Sequence, residues 1–203
     1  MAIRKVTTYP ADVLRRKAET VTEIDGNIQR LIDDMAETMY NAPGVGLAAN
    51  QIGELRRVIV VDTAQEEEDS KRDLIALINP EILEAEGKHA IEEGCLSVPY
   101  FREKIPRSEK VLVKALDRHG NPIELSAEGI QAIVLQHEID HLNGVLIIDH
   151  VSSLKRSLYK QRLKKMLQEK NNVPKERGRN NFPKQAHRFG SNLFDLKSQK
   201  LME

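Results

Sequence analysis

His137 and His141 stand four residues apart in Leu135-Gln136-His137-Glu138-Ile139-Asp140-His141-Leu142, with Glu138 directly after the first. On a helix that spacing puts both imidazoles on one face, a turn apart. Two neutral imidazoles so placed can grip one divalent metal, and a carboxylate beside them can move a water proton. Two imidazoles on a buried stripe need hydrogen-bond partners or a metal. The pattern, H-E-x-x-H, still requires a third ligand from elsewhere. Cys95 is the single cysteine, set in Glu92-Glu93-Gly94-Cys95-Leu96-Ser97-Val98-Pro99. A lone cysteine is most often a small buried hydrophobe. A thiolate is also a strong ligand for Zn or Fe, and two metal-spaced histidines in the same chain favour that role.

The elements must carry these side chains to one place. Ser126 is a good N-cap for the histidine helix, which should end near Leu142 at Asn143-Gly144. Ile130, Ile133 and Val134 precede His137 and His141 at i, i+3 and i+4 on the same stripe. They serve core packing, an apolar pocket beside the metal, or both. Ile28, Leu31, Ile32, Met35 and Met39 predict a second helix over 27–41 with one buried face. Tyr9-Pro10 opens a short helical stretch anchored by Val13 and Leu14.

Residues 57–62 read as a buried strand, 74–79 as a second strand stopped by Pro80, and 82–86 as a third. Residues 111–117 and 122–125 flank Arg118-His119-Gly120-Asn121 as a hairpin. Gly44-Val45-Gly46-Leu47-Ala48-Ala49-Asn50-Gln51-Ile52-Gly53 reads, by spacing alone, as a tight turn over small residues. Residues 64–73 read as an exposed acidic loop. His89, His119, His150 and His187 lack a ligand-spaced partner. A third helix is expected from Ser153 to about Asn171, ended by Pro174. The expected class is α+β: antiparallel sheets around a central metal-binding helix, with a C-terminal helix outside.

At 203 residues one domain is the default, here 1–171 with its C-terminal helix, followed by a weakly ordered tail over 172–203. Net charge is zero, but 155–188 holds twelve Lys/Arg against Glu169 and Glu176, leaving an acidic body. Such a basic segment suits a polyanion such as RNA, or simple solvation. No apolar run reaches membrane-span length and the N-terminus lacks a signal-peptide core. With one cysteine these features favour the cytoplasm.

Three segments together resemble the signature motifs of peptide deformylase: Gly44-Val45-Gly46-Leu47-Ala48-Ala49-Asn50-Gln51, Glu93-Gly94-Cys95-Leu96-Ser97 and Gln136-His137-Glu138-Ile139-Asp140-His141. The resemblance implies removal of the formyl group from N-formylmethionine on newly made polypeptides. It implies Cys95, His137 and His141 as ligands of one ion, Fe(II) in the native enzyme and Zn, Ni or Co in preparations. Glu138 becomes the proton shuttle. The Gln51 amide and the Leu96 backbone N–H become donors to the developing oxyanion. Peptide pairs as an added strand near Val45, Gly46 and Gly94. Ile130, Ile133 and Val134 become the wall of a methionine pocket, Arg102 lies at the substrate entrance, and Glu93 with Arg107 braces the Cys95 loop. The resemblance also implies ribosome contact through the basic segment 155–188, and no membrane or DNA.

Two rivals remain at this stage. One is an H-E-x-x-H metallopeptidase, whose third ligand follows the helix rather than preceding it. The other is a non-enzymatic, metal-stabilised binding protein, for which Glu138 and Gln51 have no purpose.

Overall fold

The computed structural model describes residues 2–64 and 73–172. In chain order they form α1 (Gly26–Asn41), β1 (Gly46–Ala48), β2 (Val58–Val61), β3 (Ile75–Glu86), β4 (His89–Gly94), β5 (Arg102–Arg107), β6 (Lys110–Leu116), β7 (Pro122–Glu128), α2 (Gly129–Leu142) and α3 (Ser153–Asn172). One sheet runs β1-β2-β3-β6-β7, and β4-β5 forms a separate hairpin. Every strand pair is antiparallel, so the α+β expectation holds.

Period-2 alternation in β2 divides the core. Ile59 and Val61 join the cluster that contains Ile133, Val134 and Leu135 of α2. Val58 and Val60 join the cluster built on Ile28, Leu31, Ile32, Met35 and Met39 of α1. The strand is buried on both faces because a helix covers each. Asp25 caps α1 by accepting from the N–H groups of Asn27 and Ile28.

Several boundaries differ from expectation. The strands expected to break at Pro80 are one strand, β3, with a register shift between Ile78 and Glu81. The bulge takes proline, which has no N–H, out of the ladder. Asn79 adopts φ +54° there, and its side-chain amide pairs with the backbone of Val21 at 2.8 and 2.9 Å. Ser126 does not cap α2. It pairs with Leu112 in the β6–β7 ladder, and the chain turns only at Gly129, φ +58°. The ladder wins because Ala127 is buried against the core. The glycine stretch is not a turn alone: it supplies β1 and then a 3-10 turn, Ala49–Ile52. The β4–β5 hairpin had no counterpart in the sequence reading. Its exposed charged residues mask Ile91 and Ile105, which face each other across it. The expected acidic loop, apart from its ends, and the tail past Asn172 lie outside the described residues. No helix among the described residues is long and apolar enough to cross a membrane.

Candidate metal centre

Two elements deliver the metal-type donors. Cys95 follows the last residue of β4, and α2 carries His137 and His141. One donor atom from each lies within 4.8 Å of the others. Cys95 Sγ is 3.2 Å from His141 Nε2, and the two imidazole centroids are 5.0 Å apart. Three donors at about 2.0–2.3 Å from one ion would lie close together in this way. All three side chains are buried, and His137 Nε2 has no hydrogen-bond partner. An orphaned buried nitrogen aimed into a thiol–imidazole cluster is what a cation would satisfy. The donor set therefore fits a divalent metal.

The surroundings fix each donor. Glu93, fully buried in β4, accepts from His137 Nδ1 at 2.9 Å. That bond places the ring proton on Nδ1 and leaves Nε2 facing the cluster. Arg107, at the end of β5, forks onto Glu93 at 2.8 and 3.1 Å and reaches Asp140 at 2.5 Å. His150 donates from Nε2 to the same Asp140 oxygen at 2.7 Å. Gln136 holds α2 to the strand turn through both backbone groups of Ser108.

Electrostatics follow from burial and partners. Burial raises the Glu138 carboxyl to about 7, against the pull of His137 and Arg107. Both of its oxygens are buried without a partner. Burial lowers the pKa of His137, but the nearness of Cys95 and Glu93 outweighs it and the ring ends well above the ordinary value. A site that favours positive charge on that ring also favours a cation beside it. Burial, then the charge of His137, drives His141 well below the ordinary histidine value, which keeps it neutral. Burial would raise Glu93, yet His137 and Arg107 hold its carboxyl below the usual range.

Gln51 lies in the 3-10 turn after β1 and is buried. Its Oε1 accepts from the Ala48 N–H at 2.7 Å. The amide is thereby oriented, with Nε2 donating toward Ser97 Oγ at 3.2 Å and lying 3.9 Å from Cys95 Sγ. Leu96, half-buried, follows Cys95 on the same loop. Gly46 lies against Glu138: a Cβ there would stand 2.5 Å from Oε1 and 2.8 Å from Val134 Cγ1. Any side chain at 46 would collide with the carboxylate, so glycine is required by contact rather than by φ.

The remaining expected residues fall nearby. Gly46 opens β1, a sheet edge paired only with β2, and Val45 precedes it with its carbonyl accepting from the Asp62 N–H at 3.0 Å. Gly94 and Arg102 face each other across β4–β5, and Arg102 pairs with Glu92 at 3.7 Å. Ile133 and Val134 are buried in the α2 cluster, with Ile130 half-buried against it. His119 is exposed in its hairpin turn and His89 exposed on β4.

Asp140, Ser97 and His150 were missed. Asp140 lies between the two histidines in sequence, one signal that was available. His150 gave none, because its partner is ten residues away on another element. Asp149, a downstream residue that a metallopeptidase could have used, is held by Arg15. Among the described residues Cys95, His137 and His141 form the only metal-type cluster, and it takes its third donor from upstream of the helix.

Comparisons with known proteins converge on one family. A family model described as polypeptide deformylase matches residues 3–157. A peptide deformylase of Thermodesulfovibrio yellowstonii is 55% identical over 164 residues, 81% of this chain and 98% of that protein. One from Alkalilimnicola ehrlichii is 47% identical over 180 residues, 88% of this chain and 99% of that protein. The crystal structure of a peptide deformylase from Legionella pneumophila has a TM-score of 0.77 at 47% identity, covering 85% of this chain and 100% of its own. A peptide deformylase from Acinetobacter baumannii, solved with Met-Ala-Ser bound, has a TM-score of 0.69 at 35% identity, covering 74% and 99%.

Proposed function

This chain belongs to the peptide deformylase family, metal-dependent enzymes that remove N-formyl groups from nascent peptides, and from that premise we propose how its own residues do so. The observation that carries the reading is the buried meeting of Cys95, His137 and His141 beside the unpartnered carboxylate of Glu138. Those three side chains would hold one divalent cation. When bound, the cation supplies a Lewis acid and brings the pKa of a water down to about 7.

Glu138 takes the proton of the attacking water and passes it to the leaving amine. A carboxyl near neutrality suits both halves of that cycle. As water attacks the formyl carbon, the carbonyl oxygen gains charge. Gln51 Nε2 and the Leu96 N–H donate to it. Because Ala48 occupies the Gln51 oxygen, the amide can present only its N–H side to the reaction. Glu93 and Arg107 keep His137 in the tautomer that offers Nε2.

The peptide pairs as an extended strand along Val45 and Gly46 on one side and Gly94 on the other. An edge strand with open backbone groups suits this, since main-chain bonds accept many sequences. Met-Ala-Ser in the Acinetobacter baumannii relative supports peptide binding here. Ile130, Ile133 and Val134 line the methionine pocket, and Arg102 stands at the entrance. Contact with ribosomal RNA runs through the exposed Lys160, Arg162, Lys164 and Lys165 of α3.

Thiolate and two imidazoles suit Fe(II) or Zn alike, and the family resemblance favours Fe(II) over Zn, Ni or Co. The iron form should then lose activity in air faster than a nickel form; equal half-lives would remove iron. The deciding experiment is anaerobic purification, with metal analysis and formate release from a formyl-Met peptide measured on one sample. One cation per chain without formate release would overturn the reading.

A further inference from the structure

We propose that His150 is a positioning residue for His137, acting through Asp140, Arg107 and Glu93. The proposal rests on the reading of Cys95, His137 and His141 as a cation site.

A buried carboxylate, Glu93, and a partly buried one, Asp140, share one guanidinium. Glu93 takes two of the Arg107 N–H groups and Asp140 takes a third. Asp140 would draw Arg107 toward itself if that were its only donor. His150 Nε2 supplies the second donor, at 2.7 Å on the same oxygen that Arg107 reaches. A carboxylate oxygen only accepts, so the proton between them sits on Nε2. With Asp140 satisfied from two sides, the Arg107 fork stays on Glu93. Glu93 in turn stays on His137 Nδ1, and His137 Nε2 stays aimed at the cluster.

The His150 backbone is pinned for this task. It caps the 3-10 turn Ile147–Asp149. The Ile148 and Asp149 carbonyls of that turn accept from Arg156 of α3 at 2.9 and 3.0 Å. The Asp149 side chain is gripped by Arg15 and accepts from the Leu146 N–H. Two separate elements therefore hold the residue that feeds Asp140.

Loss of a direct partner of a metal-ligating histidine weakens metal binding about 10–100-fold. His150 lies at the protein surface and acts through three intervening side chains, so about a three- to tenfold effect is expected. The test compares the full chain with His150→Phe, which keeps a ring without the donor, and His150→Gln, which keeps an N–H donor without the ring. His137→Ala serves as the reference. Cation affinity is measured by chelator competition, and kcat and KM on a formyl-Met peptide. The Phe variant should bind the cation three- to tenfold more weakly with lower kcat and unchanged KM, and the Gln variant should restore both. Wild-type affinity in His150→Phe, with affinity lost in His137→Ala, overturns the proposal and leaves the cation site standing. Failure of Gln to rescue overturns the donor role. Wild-type affinity in His137→Ala overturns the site reading, and this inference with it.

Discussion

α2 and α3 are both helices of mixed apolar and polar residues, and they differ in what they bury: α2 takes polar side chains into the core along with its aliphatic ones, while α3 leaves leucines outside. α2 buries Gln136, His137, Glu138 and His141. α3 leaves Leu154 at 68% exposure, Leu158 at 56% and Leu167 at 42%. α3 is held instead by Tyr159 and Leu163. The Tyr159 ring packs on Phe101 at 5.0 Å, its hydroxyl donates to the Pro99 carbonyl at 3.2 Å, and Lys155 pairs with Glu103. The contrast shows that residue type does not decide what goes inside; the surface waiting opposite does. Behind α2 stand Glu93, Ser108 and Cys95, which can satisfy polar groups. Outside α3, among the described residues, nothing covers the three leucines. Burial of unpaired polar groups costs a few kcal/mol each, so α2 is where function overrides stability.

The contrast breaks most sharply at Glu138. Glu138→Gln keeps size and removes the base, so kcat should fall by about 10²–10⁴ while cation content is unchanged. Formate release and metal analysis on the same sample check it. Loss of cation together with activity would instead make Glu138 structural. The pH profile carries the same signature. Glu138 must be deprotonated to accept a proton, and burial raises its pKa to about 7. Activity should therefore fall as pH drops through that pKa. A nearby cation pulls the pKa down, so the acid limb of kcat/KM lies at or below about 7. A limb well above 7 would deny Glu138 the role.

Arg107 sharpens the comparison in stability. Its side chain is 4% exposed and stands between the carboxylates of Glu93 and Asp140. Arg107→Ala leaves both without their cation and should cost about 3–5 kcal/mol, read from the denaturant midpoint. A loss under about 1 kcal/mol would mean that water reaches the pair.

The smallest effect is expected on α3. Leu158→Lys, on the exposed face, should change stability by no more than about 0.5 kcal/mol. A larger loss would show that this face is covered in solution.

The candidate donor cluster was legible because metal chemistry restricts residue types so tightly. An i, i+4 histidine pair with an adjacent glutamate has few other uses, and a single cysteine leaves one thiolate to find. The α1 periodicity was legible because a helix with one face on a core repeats its apolar residues at helical spacing, whereas α2 is buried on all sides over 132–139. β3 was split in the reading because proline stops a regular ladder, and the bulge that admits it depends on Val21 and Leu116 far along the chain. The β4–β5 hairpin was missed because only one of its pairs is conspicuously apolar.

By itself, then, the sequence determined which atoms could bind a cation, which carboxylate could move a proton, and the α+β class. These follow from side-chain chemistry and local periodicity. Only the tertiary structure decided that Gln51 presents its N–H side, that Gly46 must be glycine because Glu138 lies against it, and that His150 ends a chain leading to His137. Orientation and contact between distant segments depend on how the sheet, the hairpin and α2 close on one another, and no local pattern encodes that.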